Sequence, residues 1–286
     1  MSIFNRTINF NEDIKTYVNY IEKSLKNELN RHKDSFFYEP IHYALRGGKR
    51  IRPLILLLSA DCVVNGKGLD PYPAALIIEL SHTESLIHDD LIDDEISRRG
   101  RKPVYIKFGR AAAILSADYI LAIILDIVRR HGNSYVTDDF ISAIFRICEG
   151  EIGGINTVKN PRKLDYKTYL NIIENKTAAL FSASAKIGAM IGDGNEEEVK
   201  ALSEYGRFFG LSYQIKDDIL DFREVRDNIN TSELPIKFDD NITLEHLEKK
   251  VKIYSEKAIK CLKRLRETKA KKYLIELAKF EVMSNF

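Results

Sequence analysis

The stretch His82-Thr-Glu-Ser-Leu-Ile-His-Asp-Asp-Leu-Ile-Asp-Asp-Glu-Ile-Ser-Arg-Arg-Gly100 decides how the rest of the chain is read. Four carboxylates, Asp89, Asp90, Asp93 and Asp94, close an otherwise apolar run. Ahead of them Leu76, Ile77, Leu80, Ser81, Leu86, Ile87 and Leu91 recur at three- and four-residue steps, the spacing of a helix. Residues four apart share a helix face, so Asp89 stacks under Asp93, and Asp90 lies about one turn from Asp93 and Asp94. Exposed like charges at that spacing repel by about 0.2–0.5 kcal/mol per pair. A cation would offset the repulsion, and clustered carboxylate oxygens suit Mg2+. The competing reading is a solvated acidic helix end.

A second stretch repeats the device. In Gly206-Arg-Phe-Phe-Gly-Leu-Ser-Tyr-Gln-Ile-Lys-Asp-Asp-Ile-Leu-Asp-Phe222, the residues Asp217, Asp218 and Asp221 have the spacing of Asp89, Asp90 and Asp93. Gln214 precedes them by one turn on the same face. Two facing sets of carboxylates could hold several Mg2+ ions, with a polyphosphate as the remaining ligand.

The other signals are bland or exclusive. The 286 residues carry a net charge of +2, which argues against a nucleic-acid binder driven by bulk charge. Basic residues nevertheless gather at 46–52 and 98–102, as phosphate recognition requires. Cys62, Cys148 and Cys261 lack metal or redox spacing and read as small core residues of a protein in a reducing cytoplasm. The polar start is not a signal peptide, and no uncharged apolar run reaches the length of a membrane span. Helical spacing is found at 11–34, from Pro40 to Gly47, over Leu54–Val64, and at 74–95, 110–130, 138–157, 166–191, 196–222 and 242–266. Residues 100–103 read as a loop, 223–241 as irregular, and Asp138 and Asp139 as helix-start residues without chemistry. No stretch alternates as a strand would. The expected architecture is all-α: one domain, 1–286, bundling ten or more helices around a central cavity.

Four motifs together resemble the trans-isoprenyl diphosphate synthases, over about residues 40–222: Gly47-Gly-Lys-Arg-Ile-Arg-Pro53, the first acidic stretch with Arg98-Arg-Gly100, Lys176-Thr177, and the second acidic stretch. The resemblance implies a cytoplasmic, homodimeric prenyltransferase of isoprenoid-synthase fold. It implies about three Mg2+ ions on Asp89, Asp90, Asp93, Asp217, Asp218 and Asp221. Lys49, Arg52 and His82 would bind isopentenyl diphosphate. Arg98 would face the allylic diphosphate (dimethylallyl, geranyl or farnesyl) and Arg99 the isopentenyl one. Lys176 and Thr177 would offset the leaving diphosphate, Gln214 would steady the cation, and His88 would be structural. The implied chemistry is ionisation, condensation and elimination in a dry pocket.

Two rivals weigh against this reading. A class I terpene cyclase shares one acidic motif but has no use for Gly47–Pro53, and its second metal motif differs from Asp217–Asp221. A non-catalytic subunit of a synthase usually lacks aspartates that are all present here. The chain departs from the family after Phe222, where Arg223-Glu-Val-Arg-Asp-Asn-Ile-Asn-Thr-Ser-Glu-Leu-Pro-Ile-Lys237 contains no Gly-Lys to close over the diphosphates. Arg223, Arg226 and Lys237 are the charges able to replace it, and 223–241 is expected to be mobile. The C-terminal part is short, as if a helix were lacking.

Product length is read from the helix wheel. Going back from Asp89, Ser85, Ser81 or His82, and Ile78 fall on its face, and Ser85 leaves the first turn open. Ile77 and Ile78 lie about 16–18 Å below Asp89 at the rise of an α-helix. With Tyr119 or Ile123 from the next apolar helix they are the candidate floor. This predicts geranylgeranyl diphosphate. Glu84 must face away, be paired, or narrow the pocket, and in the last case farnesyl diphosphate becomes a major product.

Overall fold

The structure, a computed structural model, describes residues 12–64, 68–131, 134–158, 164–228 and 242–283. Among them every named element is helical; an isolated backbone bridge joins Arg98 and Arg101. The α-helices are α1 (Glu12–Asn30), α2 (Tyr38–Leu45), α3 (Ile51–Val63), α4 (Tyr72–Ile92), α5 (Val104–Phe108), α6 (Arg110–His131), α7 (Ser134–Val158), α8 (Tyr166–Ile173), α9 (Ala179–Ile191), α10 (Glu196–Asn228), α11 (Leu244–Cys261) and α12 (Lys269–Met283). A π-helical turn, Glu174–Ala178, separates α8 from α9. The chain divides into two compact units. One holds Phe10–Leu57 and Asp70–Thr137, and the other holds Leu58–Leu69 and Asp138–Phe286.

In the first unit α4 packs along α6. Residues 74–81 of α4 are buried on every side, a run that includes Glu79. A helix apolar all round is a core helix, and the first half of α4 is of that kind. Two expectations shift here. The helix stops at Ile92 rather than at residue 95. Asp93 is its C-cap, with its N–H on the Asp89 carbonyl at 2.9 Å, and Asp94 is left-handed at φ +49°. A short helix, α5, follows Pro103 where no element was expected. α6 is long and apolar enough to cross a membrane by length and composition alone, but, as expected, charges (Asp118 and Asp126) interrupt its apolar run. Its Ala113, Ala117, Ile120, Ile123, Ile124 and Ile127 are buried, as on a core helix.

The motif Gly47–Pro53 is folded around Arg50. Arg50 is 3% exposed. Its guanidinium donates to Glu79 at 2.5 Å, to Glu22 at 2.7 Å and to the Leu45 carbonyl. Both neighbours to this site are constrained: Gly47 sits at φ +82°, and a Cβ on Gly48 would lie 2.5 Å from the Arg50 guanidinium.

In the second unit α10 packs on α9 and α11. The close approach needs glycine, since a Cβ on Gly206 would fall on the Phe181 carbonyl and one on Gly210 would crowd Ala178. α7 crosses the π turn at Gly150, where a Cβ would fall on the backbone nitrogen of Lys176. Gly153 and Gly154 make only ordinary contacts. The stretch 166–191 is thus not one continuous helix. The π turn is held on its Glu174 side by a two-point ion pair with Arg207, at 2.9 and 3.0 Å.

Other expectations are refined in this unit. α7 begins a turn before Asp138, and Asp139 pairs with Lys186 at 2.5 Å. α10 continues through 223–228, which were expected to be irregular. Residues 229–241, with Lys237 and most of the expected mobile segment, lie outside the described residues. α12 occupies the C-terminal region left unassigned above. Cys62 is buried, but Cys148 is exposed and Cys261 half-buried, so only the first is a core residue.

Arg50→Met alone leaves the Glu79 carboxylate buried beside a thioether, and is expected to cost about 3–5 kcal/mol. The double change Arg50→Met with Glu79→Leu removes both charges and is expected to cost less. Denaturant unfolding of the two variants measures the difference.

Candidate active site

The acidic end of α4 lies beside a concentration of arginines. Arg98, Arg99, Gly100 and Arg101 form a tight turn in which Arg98 and Arg101 exchange backbone hydrogen bonds at 2.8 and 3.0 Å. Arg99 and Gly100 both take positive φ, +54° and +71°, as a type I′ turn demands of its two central residues. The turn is tied to the end of α2, where the Arg46 carbonyl accepts from Arg99 at 3.3 Å and from Arg101 at 2.6 Å. Cations are favoured at a helix C-terminus. Asp90, 4% exposed, accepts from Arg98 Nε at 2.6 Å. Burial raises its carboxyl above the ordinary value, and Arg98 opposes the shift. Asp89 is half-buried and Asp93 exposed.

His82 lies two turns back along α4, facing Arg52, whose Nη1 is 3.1 Å from His82 Nε2. Burial pushes the imidazole well below its ordinary pKa, and Arg52, Arg99, Arg50 and Arg98 push it further. His82 is therefore neutral near pH 7, with Nε2 as the acceptor and the proton on Nδ1. Desolvation, reinforced by Arg50, Arg98 and Arg101, likewise lowers the Arg99 pKa, against Glu79. Desolvation leads both shifts, and the neighbouring guanidinium groups add to it. Lys49 is exposed on the same loop. The structure thus brings Arg52 to His82 and Arg98 to Asp90, with Arg99 acting on both His82 and Asp90; Lys49, Asp89 and Asp93 stand on the same elements of the first unit.

In the second unit Thr177, Gln214 and Asp218 form a chain of hydrogen bonds. Thr177 donates to Gln214 Oε1 at 2.7 Å, and Gln214 donates to Asp218 Oδ1 at 2.8 Å. Tyr169 donates to the other oxygen, Oδ2. Burial pushes the Asp218 carboxyl up to about 6. Tyr169 and Gln214 work against that, Asp221 with it. Lys176, on the π turn, pairs with Glu151 at 2.6 Å. Asp217 is half-buried and Asp221 exposed. Arg223, expected to supply charge for closure, pairs with Glu248 at 2.5 Å.

The two acidic motifs use their middle aspartate alike, as a carboxylate hydrogen-bonded to protein. The outer pairs, Asp89 with Asp93 and Asp217 with Asp221, keep the four-residue spacing. All-oxygen donors suit a hard cation such as Mg2+. Among the described residues no three His, Cys, Asp or Glu side chains converge on one point as a metal cage.

On the face of α4 below Asp89, Ile77, Ile78 and Ser81 are buried, and Ser85 is half-buried, donating to the His82 carbonyl at 3.0 Å. Ile123 is buried on α6. Tyr119 meets His32 Nδ1 through its hydroxyl at 3.1 Å and lies 5.0 Å from the Phe37 ring. Burial, and after it Asp118 on α6, push the Glu84 carboxyl up to about 7. Glu84 thus holds its proton to a much higher pH than an ordinary glutamate, an outcome that the sequence did not suggest.

Sequence reasoning missed Arg50, Arg101, Glu151 and Tyr169. Arg50 lies inside a recognised motif, but its partners Glu22 and Glu79 are distant in sequence. Tyr169 is seven residues before Lys176, a helix-face spacing too common to single it out.

Comparison with known proteins fits this geometry. The polyprenyl synthetase family model matches residues 34–233. A geranylgeranyl diphosphate synthase of Methanosarcina mazei is 34% identical over 85% of this chain and 77% of its own length. A geranylfarnesyl diphosphate synthase of the same organism is 34% identical over 91% of this chain and 90% of its own. The crystal structure of a geranylgeranyl pyrophosphate synthetase from Pyrococcus horikoshii superposes with a TM-score of 0.83 at 29% identity, over 95% of this chain and 97% of that one. With a family model over more than half its length, and relatives at this identity over most of theirs, the chain belongs to the polyprenyl synthetase family, the trans-isoprenyl diphosphate synthases.

Proposed function

We propose that this trans-prenyltransferase condenses isopentenyl diphosphate with dimethylallyl, geranyl and farnesyl diphosphates in a Mg2+-dependent reaction, with geranylgeranyl diphosphate as the main product. The observation that carries the reading is the arginine cluster around neutral His82, beside the acidic end of α4. A cluster of guanidinium groups next to carboxylates at helical spacing suits a diphosphate together with a divalent cation. In this reading the two units work as one synthase domain.

Lys49, Arg52 and His82 hold isopentenyl diphosphate without metal. The guanidinium offers a fork to phosphate oxygens, and the lysine a compact charge. Arg99 joins them, and Arg98 serves the allylic diphosphate while anchoring Asp90. Asp89, Asp90 and Asp93 would hold Mg2+, as would Asp217, Asp218 and Asp221, and about three such ions would supply positive charge against the leaving diphosphate. Lys176 exchanges Glu151 for that diphosphate, and Thr177 and Gln214 present fixed dipoles to the allylic cation. The double bond of isopentenyl diphosphate attacks the cation, and the released diphosphate accepts the proton that leaves. Apolar α4 and α6 exclude water that would trap the cation.

The tail runs down α4 past Ser85 and Ser81 toward Ile77 and Ile78, with Tyr119 or Ile123 completing the floor. Support comes from the small side chain at 85, and from relatives whose named products differ by one isoprene unit. Glu84 favours a secondary farnesyl product to the extent that it is ionised, since a carboxylate beside an alkyl tail is costly. We propose further that the enzyme is a homodimer, because Ile114, Leu115, Leu121 and Leu125 make an exposed apolar stripe along α6.

Three outcomes are expected. Asp89→Ala and Asp217→Ala each lower turnover of the purified chain by orders of magnitude with the helical circular dichroism intact. Near-normal rates in both would remove the metal assignment. Lys49→Ala and Arg52→Ala raise KM for isopentenyl diphosphate far more than KM for the allylic substrate, and equal effects on both would mean that the two diphosphate sites are misassigned. Ser85→Phe shortens the products seen by chromatography; an unchanged distribution would show that the tail does not pass residue 85.

A further inference from the structure

Asp218 and Asp90 occupy the same place in their motifs but are held by different chemistry. Asp90 gives an oxygen to a cation, Arg98. Asp218 takes its hydrogen bonds from neutral groups, Gln214 on one oxygen and the Tyr169 hydroxyl on the other. Tyr169 is 2% exposed and packs in the cluster of Ile173, Ala178, Leu211, Ile215 and Ile219. A buried ring with two torsions places its hydroxyl oxygen firmly, so the acceptor must come to it. Tyr169 also stands on α8, which leads into the π turn bearing Thr177. Through Tyr169 and Thr177, this one segment therefore grips the Gln214–Asp218 face of α10 at two points.

We propose that Tyr169 is a positioning residue that sets the metal affinity of the second acidic motif. The inference rests on the reading of Asp217, Asp218 and Asp221 as metal ligands. A hydrogen bond on each Asp218 oxygen fixes both side-chain torsions and leaves lone pairs on each oxygen for another partner. The hydrogen-bond donors to Asp218 are neutral, and the cation that acts on it, Lys176, is paired with Glu151 rather than bonded to Asp218, whereas Arg98 binds Asp90 directly. Groups that orient a ligating carboxylate typically contribute about 10–100-fold to metal affinity.

Tyr169→Phe keeps the ring and deletes the hydroxyl. Mn2+ binding by the full chain, followed by electron paramagnetic resonance in the presence of a non-ionisable allylic thiolodiphosphate, is expected to weaken about 10–100-fold. The Mg2+ concentration for half-maximal rate rises by the same factor, turnover recovers at high Mg2+, and KM for isopentenyl diphosphate is unchanged. In an Asp218→Asn background the same deletion adds nothing, because its effect runs through Asp218. Unchanged Mn2+ affinity in Tyr169→Phe, with a lowered unfolding midpoint or turnover, would show that Tyr169 only packs, and a further loss in the double variant would show that it acts elsewhere. If the unaltered chain binds no Mn2+, the metal reading falls and this inference falls with it, an outcome distinct from normal Mn2+ binding in both proteins.

Discussion

Arg50 spreads its guanidinium over Glu79, Glu22 and the Leu45 carbonyl in an interior with almost no water access. Removing a charged pair from water costs several kcal/mol per ion, and the attraction repays it only where geometry is good and the remaining donors are satisfied. Here three acceptors meet the requirement, and Arg50 takes up φ +55° to reach them. The consequence is positional. Arg50 fixes the Gly47–Pro53 loop on the flank of α4, so Arg52 arrives at His82 and Lys49 is left pointing outward. The motif's charge is thus divided: one arginine is spent inside so that its neighbours stand in one place. Glu79 raises the pKa of Arg50 and also acts on Arg99, so the same carboxylate tempers the arginine turn.

The two acidic motifs solve a common problem with different means. Three carboxylates within five residues repel, and a helix end cannot relax them far apart. Each motif ties its middle member to protein and leaves the outer two at helical spacing. In α4 the tie is an arginine from the turn that follows. In α10 it is a tyrosine and a glutamine, which hold the carboxylate without neutralising it, and burial then lifts its pKa to about 6. The sign matters for pH. An acid whose folded pKa lies above its unfolded value binds more protons when folded, so it favours folding below the unfolded value and loses that contribution as pH rises through about 6. A cation bound there favours the ionised form and opposes the loss.

Much of this was legible in the chain. The helical periodicity of 74–91 and 196–222 is strong because these helices are long and end in a polarity jump, and four motifs fixed the family. The failures have physical causes. The helix at 74–95 ends early because backbone geometry, not charge, sets the C-cap at Asp93. The stretch 166–191 reads as continuous because a π turn leaves no mark on hydrophobic spacing. At Lys176 the turn lies so close to another helix that only glycine, Gly150, fits there. Val104–Phe108 is too short for periodicity to register. The site residues were found where a motif carries them, whereas Tyr169 and Glu151 act through contacts across sequence gaps of 49 and 25 residues (218 − 169 and 176 − 151).

Both halves of the proposed chemistry meet substrate with their charges already engaged. Lys176 rests on Glu151, Arg98 on Asp90, and Arg99 and Arg101 on a backbone carbonyl. A diphosphate entering such a site replaces internal partners rather than water. Each exchange gains only the difference between a carboxylate or carbonyl contact and a phosphate contact. That difference is modest for a ground-state diphosphate and grows as negative charge builds on the leaving group. Provisional partners of this kind therefore weaken substrate binding more than they weaken stabilisation of the ionising state. They also keep a cluster of like charges from unfolding the site when it is empty. In the proposed reaction, the residues whose charges are paired in the free protein would thus direct their electrostatic work to the step in which the C–O bond breaks.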